Sequence, residues 1–264
     1  MPVLPPPAPP ANGPYLGPCL FNNPTIILSH WDWDYWRLAK IAHDQGAHGG
    51  VDVINLSWIF PLQPIGPATA NFRDSLTQPT QWPGGLASMP IADGLIVRCT
   101  GPAIDINNSG LAIILPMLLP STDPNVHVVI FTGDVSFGNV PVPAPMLALS
   151  TGITAVHHGS DSHGAALNLP NPPAPYNVTG GMAYSYGVYQ RADRTFFHAY
   201  GHPRVPAINT YQAVGFRNEA CTAESAFFQD DGVRGNVRMG QFIAFRCLPN
   251  SCAFQAFPPA KRLD

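Results

Sequence analysis

The run Ile27-Leu28-Ser29-His30-Trp31-Asp32-Trp33-Asp34-Tyr35-Trp36 places one histidine and two aspartates at alternate positions in an apolar, tryptophan-rich stretch. Two later runs end in a similar way. Val128-Val129-Ile130-Phe131-Thr132-Gly133 leads into Asp134, and Ile153-Thr154-Ala155-Val156 leads into His157-His158-Gly159-Ser160. Each is a short apolar segment of the kind that makes a buried strand, and each stops at imidazole or carboxylate. Imidazole nitrogen and carboxylate oxygen are the donors that hard-to-borderline divalent ions take. In layered α/β folds ligands bind beyond strand ends, where loops bring side chains from distant sequence together. Alternate residues of an extended loop point the same way, so His30 and Asp32 can reach one ion. Asp34, where a helix begins, either caps that helix or reaches a second ion. Taken singly, each signal has a plain structural reading: a helix cap, a strand-ending turn, a structural histidine pair. The three together are harder to dismiss.

The elements that must position these residues follow from pattern. Pro24–Ser29 reads as a fully buried strand. A helix follows from Asp34, with Trp36, Ala39, Lys40, Ala42 and His43 at helical spacing and Gly46 as its stop. Residues 57–93 are rich in Pro, Gln and Gly and read as a long, site-forming loop region. Core strands are expected at Gly94–Thr100, Gly110–Leu118, Val126–Asp134, Gly152–Gly159 and Gly181–Gly187. A short helix is expected over His202–Gly215, with Pro203 near its first turn and Gly215 as its cap. A hairpin turning at Gly240 is expected in Asn236–Phe245. Strands interspersed with helices give an α/β layered fold.

Composition sets the limits. Residues 1–20 form a proline-rich tail and 21–264 a single domain, long enough to bury a full core. Charged residues make up only 11%, with a net charge of −3 and no basic run, which argues against charge-driven binding of duplex DNA. A loose set of arginines (Arg191, Arg194, Arg204, Arg234, Arg238) reads either as an anion site or as scattered surface charge. The five cysteines include no CxxC pair, so neither a disulfide framework nor a zinc ribbon is indicated. The start lacks the features of a signal peptide and the most apolar run is too short to span a bilayer, which predicts a soluble, cytoplasmic protein.

The order Ser29-His30-Trp31-Asp32-Trp33-Asp34, Thr132-Gly133-Asp134, His157-His158-Gly159-Ser160 resembles the metallo-β-lactamase-fold hydrolases. Their signature is HxHxDH, then Gly-Asp after a strand, then a late histidine. Closer still, it resembles the hydrolase domain of the DNA-uptake protein ComEC and its stand-alone relatives, which carry HxDxDH, Asn-Asn-Ser before a strand, HHGS and YGHP. Here Asn107-Asn108-Ser109 precedes a strand, Tyr200-Gly201-His202-Pro203 leads into a helix, and Asp231–Met239 matches the closing strand. The resemblance implies an αββα sandwich. It implies His30 and Asp32 on a first metal, Asp34 on a second, Asp134 bridging both, and His158 as the late ligand. His157 would support His158 from behind. Asp34 or Asp134 would orient the attacking water, and Ser160 or His202 would donate to the oxyanion. His43, His48, His127, His163 and His198 read as surface or packing residues.

Two departures stand out. Tyr35 replaces the last histidine of the first motif, and a phenol with a pKa of about 10 is a poor ligand near neutrality. The 29 residues before His30 hold neither the GQGD-like turn nor the DxG element of the family. The first sheet is therefore expected to lack its opening strands, with a partner covering the exposed edge as one outcome.

The expected activity is metal-dependent hydrolysis, with one or two ions of zinc, manganese or magnesium activating water. A phosphodiester is the favoured bond, and single-stranded nucleic acid, nucleotides and small esters remain open as substrates. Trp31, Trp33 and Trp36 serve either to stack a base or to pack the loop. The alternatives are a catalytically impaired binding module on the same fold, and a hydrolase of amides or lactones.

Overall fold

The computed structural model describes residues 24–44, 46, 51–91, 94–118, 126–160, 180–185, 188–190, 196–198, 205–222, 238–240, 242–248 and 251–257. Among the described residues the first elements are strand β1 (Thr25–Ile27), helix α1 (Trp33–Asp44), β2 (Ser57–Phe60), α2 (Pro67–Ser75) and β3 (Gln78–Gln81). The three strands pair in parallel in the order β1-β2-β3. Parallel neighbours need long crossovers, and α1 and α2 supply them. The side chains of these strands alternate between two faces. Ile26, Trp58 and Phe60 pack with Trp36, Ala39 and Ala42 of α1 and Phe72 of α2. Ile27 and Ile59 point the other way, onto Trp82, Met89, Ile91, Ile96 and Leu111.

Of these, Met89, Ile91, Ile96 and Leu111 belong to a larger sheet. It contains β4 (Ser88–Ile91), β5 (Gly94–Arg98), β6 (Leu111–Leu118), β7 (Val126–Phe131), β8 (Ser150–Thr154) and β9 (Gly180–Ser185). Helix α3 (Ala144–Leu147) lies between β7 and β8 in the chain. Two short strands, β10 (Val188–Gln190) and β11 (Phe196–His198), pair with each other. Then come α4 (Val205–Ala213), β12 (Phe216–Thr222), β13 (Arg238–Gly240), β14 (Phe242–Leu248) and β15 (Ser251–Phe257). The eight-stranded order is β13-β12-β9-β8-β7-β6-β5-β4, antiparallel from β4 to β7 and parallel from β7 to β13. Its second face carries the largest apolar cluster, in which Val97, Ala112, Ile114, Val128, Ile130, Ile153 and Met182 meet Ile208 and Tyr211 of α4. The protein is thus a mixed α/β fold with three apolar seams in succession. Among the described residues no helix is long and apolar enough to cross a membrane.

Most expected elements are present, and three expectations need correction. Residues 57–93 are not a loop region: they hold β2, α2, β3 and β4. The strands are four residues each, too short to display a period, and Pro67 opens α2 at a position where a missing N–H costs nothing. Strand β1 is only partly buried, because it lies at one end of its sheet. The hairpin does not turn at Gly240. Strand β13 instead joins β12 in parallel, and β14 pairs with β15 across Leu248 and Ser251, where Pro249-Asn250 is the stronger turn signal. Tail residues 1–20 lie outside the described residues. Cys99 is a buried free thiol, and burial pushes it up to about 12.

The end of β1 is fixed by one contact with its own sheet and one with the large sheet. Leu28 N–H donates to Ile59 O at 2.9 Å, and Leu111 N–H donates to Ser29 O at 2.7 Å. Two glycines permit this approach. A Cβ on Gly110 would lie 2.3 Å from Ser29 O. One on Gly133, whose φ is +56°, would lie 2.9 Å from both Cβ and Oγ of Ser29. Substitution Gly110→Ala should therefore lower stability by at least about 2 kcal/mol in urea denaturation, because backbone must move. Gly84→Ala, which meets nothing within 4 Å, should stay within about 0.5 kcal/mol of wild type.

Candidate functional site

Seated between Gly110 and Gly133, Ser29 delivers the next residue, His30, to the turn after β7. His30 is fully buried, and its Nδ1 lies 3.0 Å from Ser29 Oγ. That contact leaves Nε2 directed inward, towards Asp134. Nε2 stands 3.4 Å from Asp134 Oδ2 and has no hydrogen-bond partner.

Asp134 is itself 1% exposed. Its loop is pinned by Asn108, whose Oδ1 accepts Ser136 N–H at 2.8 Å and Asn139 Nδ2 at 2.9 Å. Asp105 orients Asn108 in turn, accepting from its backbone N–H at 3.1 Å and from its Nδ2 at 2.7 Å. Gln63 then ties this loop to the first motif. Its Oε1 accepts Trp31 N–H, while its Nε2 donates to Ile106 O and Ser109 Oγ. Gln63 has no signal in the sequence beyond being a polar residue in a proline-rich stretch.

The third element is the turn after β8. His157 and His158 have φ of 45° and 55°, a left-handed pair that is rare without glycine and costs about 1–3 kcal/mol per residue. The turn is held by His157 N–H donating to Gly133 O at 3.1 Å and Ser160 N–H donating to His157 O at 2.9 Å. His157 Nε2 comes within 3.5 Å of Asp134 Oδ2, and His158 Nε2 within 3.9 Å of Oδ1. Tyr35, from the first turn of α1, donates its hydroxyl to Asp134 Oδ1 at 2.5 Å. Its ring lies 4.1 Å from that of His30 and 5.9 Å from that of His158, centroid to centroid. Burial alone would push the Asp134 carboxyl up, but His30, the Tyr35 hydroxyl and His157 outweigh it and bring it down to about 2.

The structure thus brings together His30, Asp134 and His158 of the expected ligands, with His157 nearer to the carboxylate than His158. Asp32 is exposed, and its Oδ1 accepts the Trp33 amide at the start of α1. The Asp34 side chain and all of His202 lie outside the described residues. Ser160 is fully buried at the end of the histidine turn. Trp31 and Trp36 pack in the core, whereas Trp33 is 47% exposed with the Arg37 guanidinium 5.7 Å from its ring. Two bland histidines have structural partners: His43 pairs with Asp52 at 2.9 Å, and buried His127 meets Thr151. His48, His163 and the side chain of His198 lie outside the described residues, as do Arg191, Arg194, Arg204, Arg234 and the Arg238 side chain.

Among the described residues no three His, Cys, Asp or Glu side chains form a ready-made cation site. The donors around Asp134 are of the kind a cation takes, and two of their separations match those of ligands on one ion. Two ligands at about 2.0–2.1 Å from a tetrahedral ion stand about 3.3–3.4 Å apart. His30 Nε2 and His157 Nε2 keep 3.4 and 3.5 Å from the same carboxylate oxygen. An imidazole nitrogen buried without a hydrogen bond costs about 1–3 kcal/mol, which a bound ion would recover. No protein-family model matches the chain, and no curated protein or solved structure matches it.

The depressed carboxyl of Asp134 sets an acid limit on the metal-free fold. Its ordinary value is 3.8 and its folded value about 2, so the carboxylate stabilises the fold above about pH 4. That contribution, roughly 2 kcal/mol, is lost as pH falls through the folded value. Urea denaturation in chelator from pH 5 to 2 should show this slope in wild type and a shallower one in Asp134→Asn. Identical slopes would contradict it.

Proposed function

We propose that the chain is a metal-dependent hydrolase, with a divalent ion held by His30, Asp134 and the His157–His158 turn. The observation that carries this reading is the buried His30 Nε2, without a hydrogen bond, facing a buried carboxylate that two more imidazoles also approach. The strained turn that presents those imidazoles adds support, because such backbone persists where function over-determines it.

We further propose that the fold is a metallo-β-lactamase-like αββα sandwich. The succession of seams supports it: α1 and α2 on the small sheet, the small sheet on the large one, α4 on the far face. Among the described strands β1 lies at an edge of the small sheet, a place where a partner could add to it.

When bound, the ion, whether zinc, manganese or magnesium, would lower the pKa of a water and polarise a phosphoryl or carbonyl oxygen. The residues supply the rest. Ser29 holds the His30 ring through its hydroxyl, Asn108 holds the Asp134 loop, and buried Trp31 and Trp36 anchor the first motif in the core of the small sheet. A phosphodiester or small ester remains the favoured substrate. Exposed Trp33 beside Arg37 suits a stacked base next to a phosphate, as in a single-stranded nucleic acid.

A second reading, a catalytically impaired binding protein on this fold, draws on the outward-facing Asp32 and the Tyr35 hydroxyl on Asp134. Hydrolysis of bis-p-nitrophenyl phosphate with added manganese or zinc separates the two. Turnover should occur and fall at least about 100-fold in His30→Ala and Asp134→Ala. Absence of turnover with diester, lactone and amide substrates alike in excess metal would overturn the hydrolase. Cleavage of a lactone or amide alone would keep the metal chemistry and reassign the substrate.

A further inference from the structure

We infer that Tyr211, on the far-face helix α4, is a positioning residue for the His157 and His158 imidazoles, which it holds through the Val156 amide; as a statement about a metal centre this rests on the reading above. Strand β8 pairs with β9 as far as Thr154 and Ala183. The next amide, Ala155 N–H, still reaches Ala183 O at 2.7 Å. Beyond it the chain leaves the sheet and enters the histidine turn. Val156 N–H donates instead to the Tyr211 hydroxyl at 2.9 Å. Both residues are fully buried, where a backbone donor must find its acceptor within the protein. His157 N–H then goes to Gly133 O. Three consecutive amides are thus received by three separate elements: β9, α4 and the turn after β7.

The turn that follows needs holding. His157, His158 and Gly159 have φ of 45°, 55° and 86°, three left-handed residues in succession, closed by Ser160 N–H on His157 O. Left-handed backbone is unfavourable for a residue with a Cβ, and it persists where the surroundings over-determine it. Among the acceptors that do so, Ala183, Gly133 and His157 contribute backbone carbonyls, whereas Tyr211 contributes a side chain. Its ring lies in the same apolar cluster as Val156, Ile153 and Met182, so packing fixes where the hydroxyl stands. Without that hydroxyl a buried amide loses its acceptor at the residue just before the two imidazoles. The strained turn can then relax by moving that amide toward another partner. His157 Nε2, 3.5 Å from Asp134 Oδ2, moves with it.

The test is Tyr211→Phe in the full chain, which keeps the ring and deletes the hydroxyl. Beside it stands Ile114→Val, a buried substitution in the same apolar cluster but on β6. Thermal melts establish that each variant is folded. In metal-free protein, imidazole nitrogen–proton correlation spectra should show His157 and His158 displaced in Tyr211→Phe, while His43, paired with Asp52, stays in place. Zinc affinity, from competition with a chromophoric chelator, should fall about 10–100-fold in Tyr211→Phe and remain at the wild-type value in Ile114→Val. Unmoved His157 and His158 resonances in folded Tyr211→Phe would overturn the inference, as would wild-type zinc affinity in that variant or an equal loss in Ile114→Val. No zinc bound by folded wild type would overturn the metal reading, and the metal-free spectra would still decide the role of Tyr211. If Tyr211→Phe does not fold, hydrogen exchange on wild type decides. The Val156 amide should exchange as slowly as the central amides of β7, and exchange many times faster would overturn the inference.

Discussion

Ser29 lies where two sheets meet, and the geometry of the candidate site depends on how closely its backbone approaches the larger one. Its carbonyl accepts the first amide of β6, and its side chain sits against Gly133 in the turn after β7. No Cβ fits at Gly110 without displacing that carbonyl. The next residue in the chain is His30, so the contact sets where its imidazole stands relative to Asp134. The turn of His157 then docks on the carbonyl of Gly133 through its amide. Strand ends from three separate parts of the sequence are thereby locked to each other by backbone, before any side chain of the site makes a bond.

What this lock creates is a buried carboxylate faced by imidazoles and a phenol hydroxyl. Burial opposes its charge, yet the imidazoles and the Tyr35 hydroxyl more than restore it. An isolated charge at this depth would neutralise instead. The same balance explains why the surrounding hydrogen bonds are so numerous. Asp105, Asn108 and Gln63 spend their polar groups on loop backbone, which fixes the carboxylate against movement toward solvent. Rigidity of this kind suits a centre that must present donors at fixed spacing.

The legible parts were those with a period. Strands β5, β6 and β7 are apolar runs of five to eight residues, and α1 shows its apolar face directly, whereas β8 ends at Thr154, short of the expected Gly159. His30 and Asp134 were legible as the polar residues ending such runs. For Asp32 the expectation rested on an extended loop up to Asp34, where the helix was expected to begin. The helix begins at Trp33, so the chain changes from a period of two to the helical one at that point, and Asp32 turns to the helix amide. The role of His157 was also hidden, since two successive left-handed residues are expected of glycine or asparagine rather than histidine. Tyr35 was visible as an unusual residue, but its partner 99 positions away was not. Gln63 makes its contacts through a loop without periodicity, where sequence offers no guide to which polar group is buried.

The central claim, that imidazoles gathered around Asp134 ligate an ion, is tested most directly by X-ray absorption at the zinc edge on protein loaded to saturation and freed of excess metal. The account predicts nitrogen and oxygen neighbours at about 2.0–2.1 Å with outer-shell scattering from imidazole. That outer-shell signal should fall in His30→Ala. A sulfur neighbour at about 2.3 Å, or imidazole scattering unchanged by His30→Ala, would contradict it.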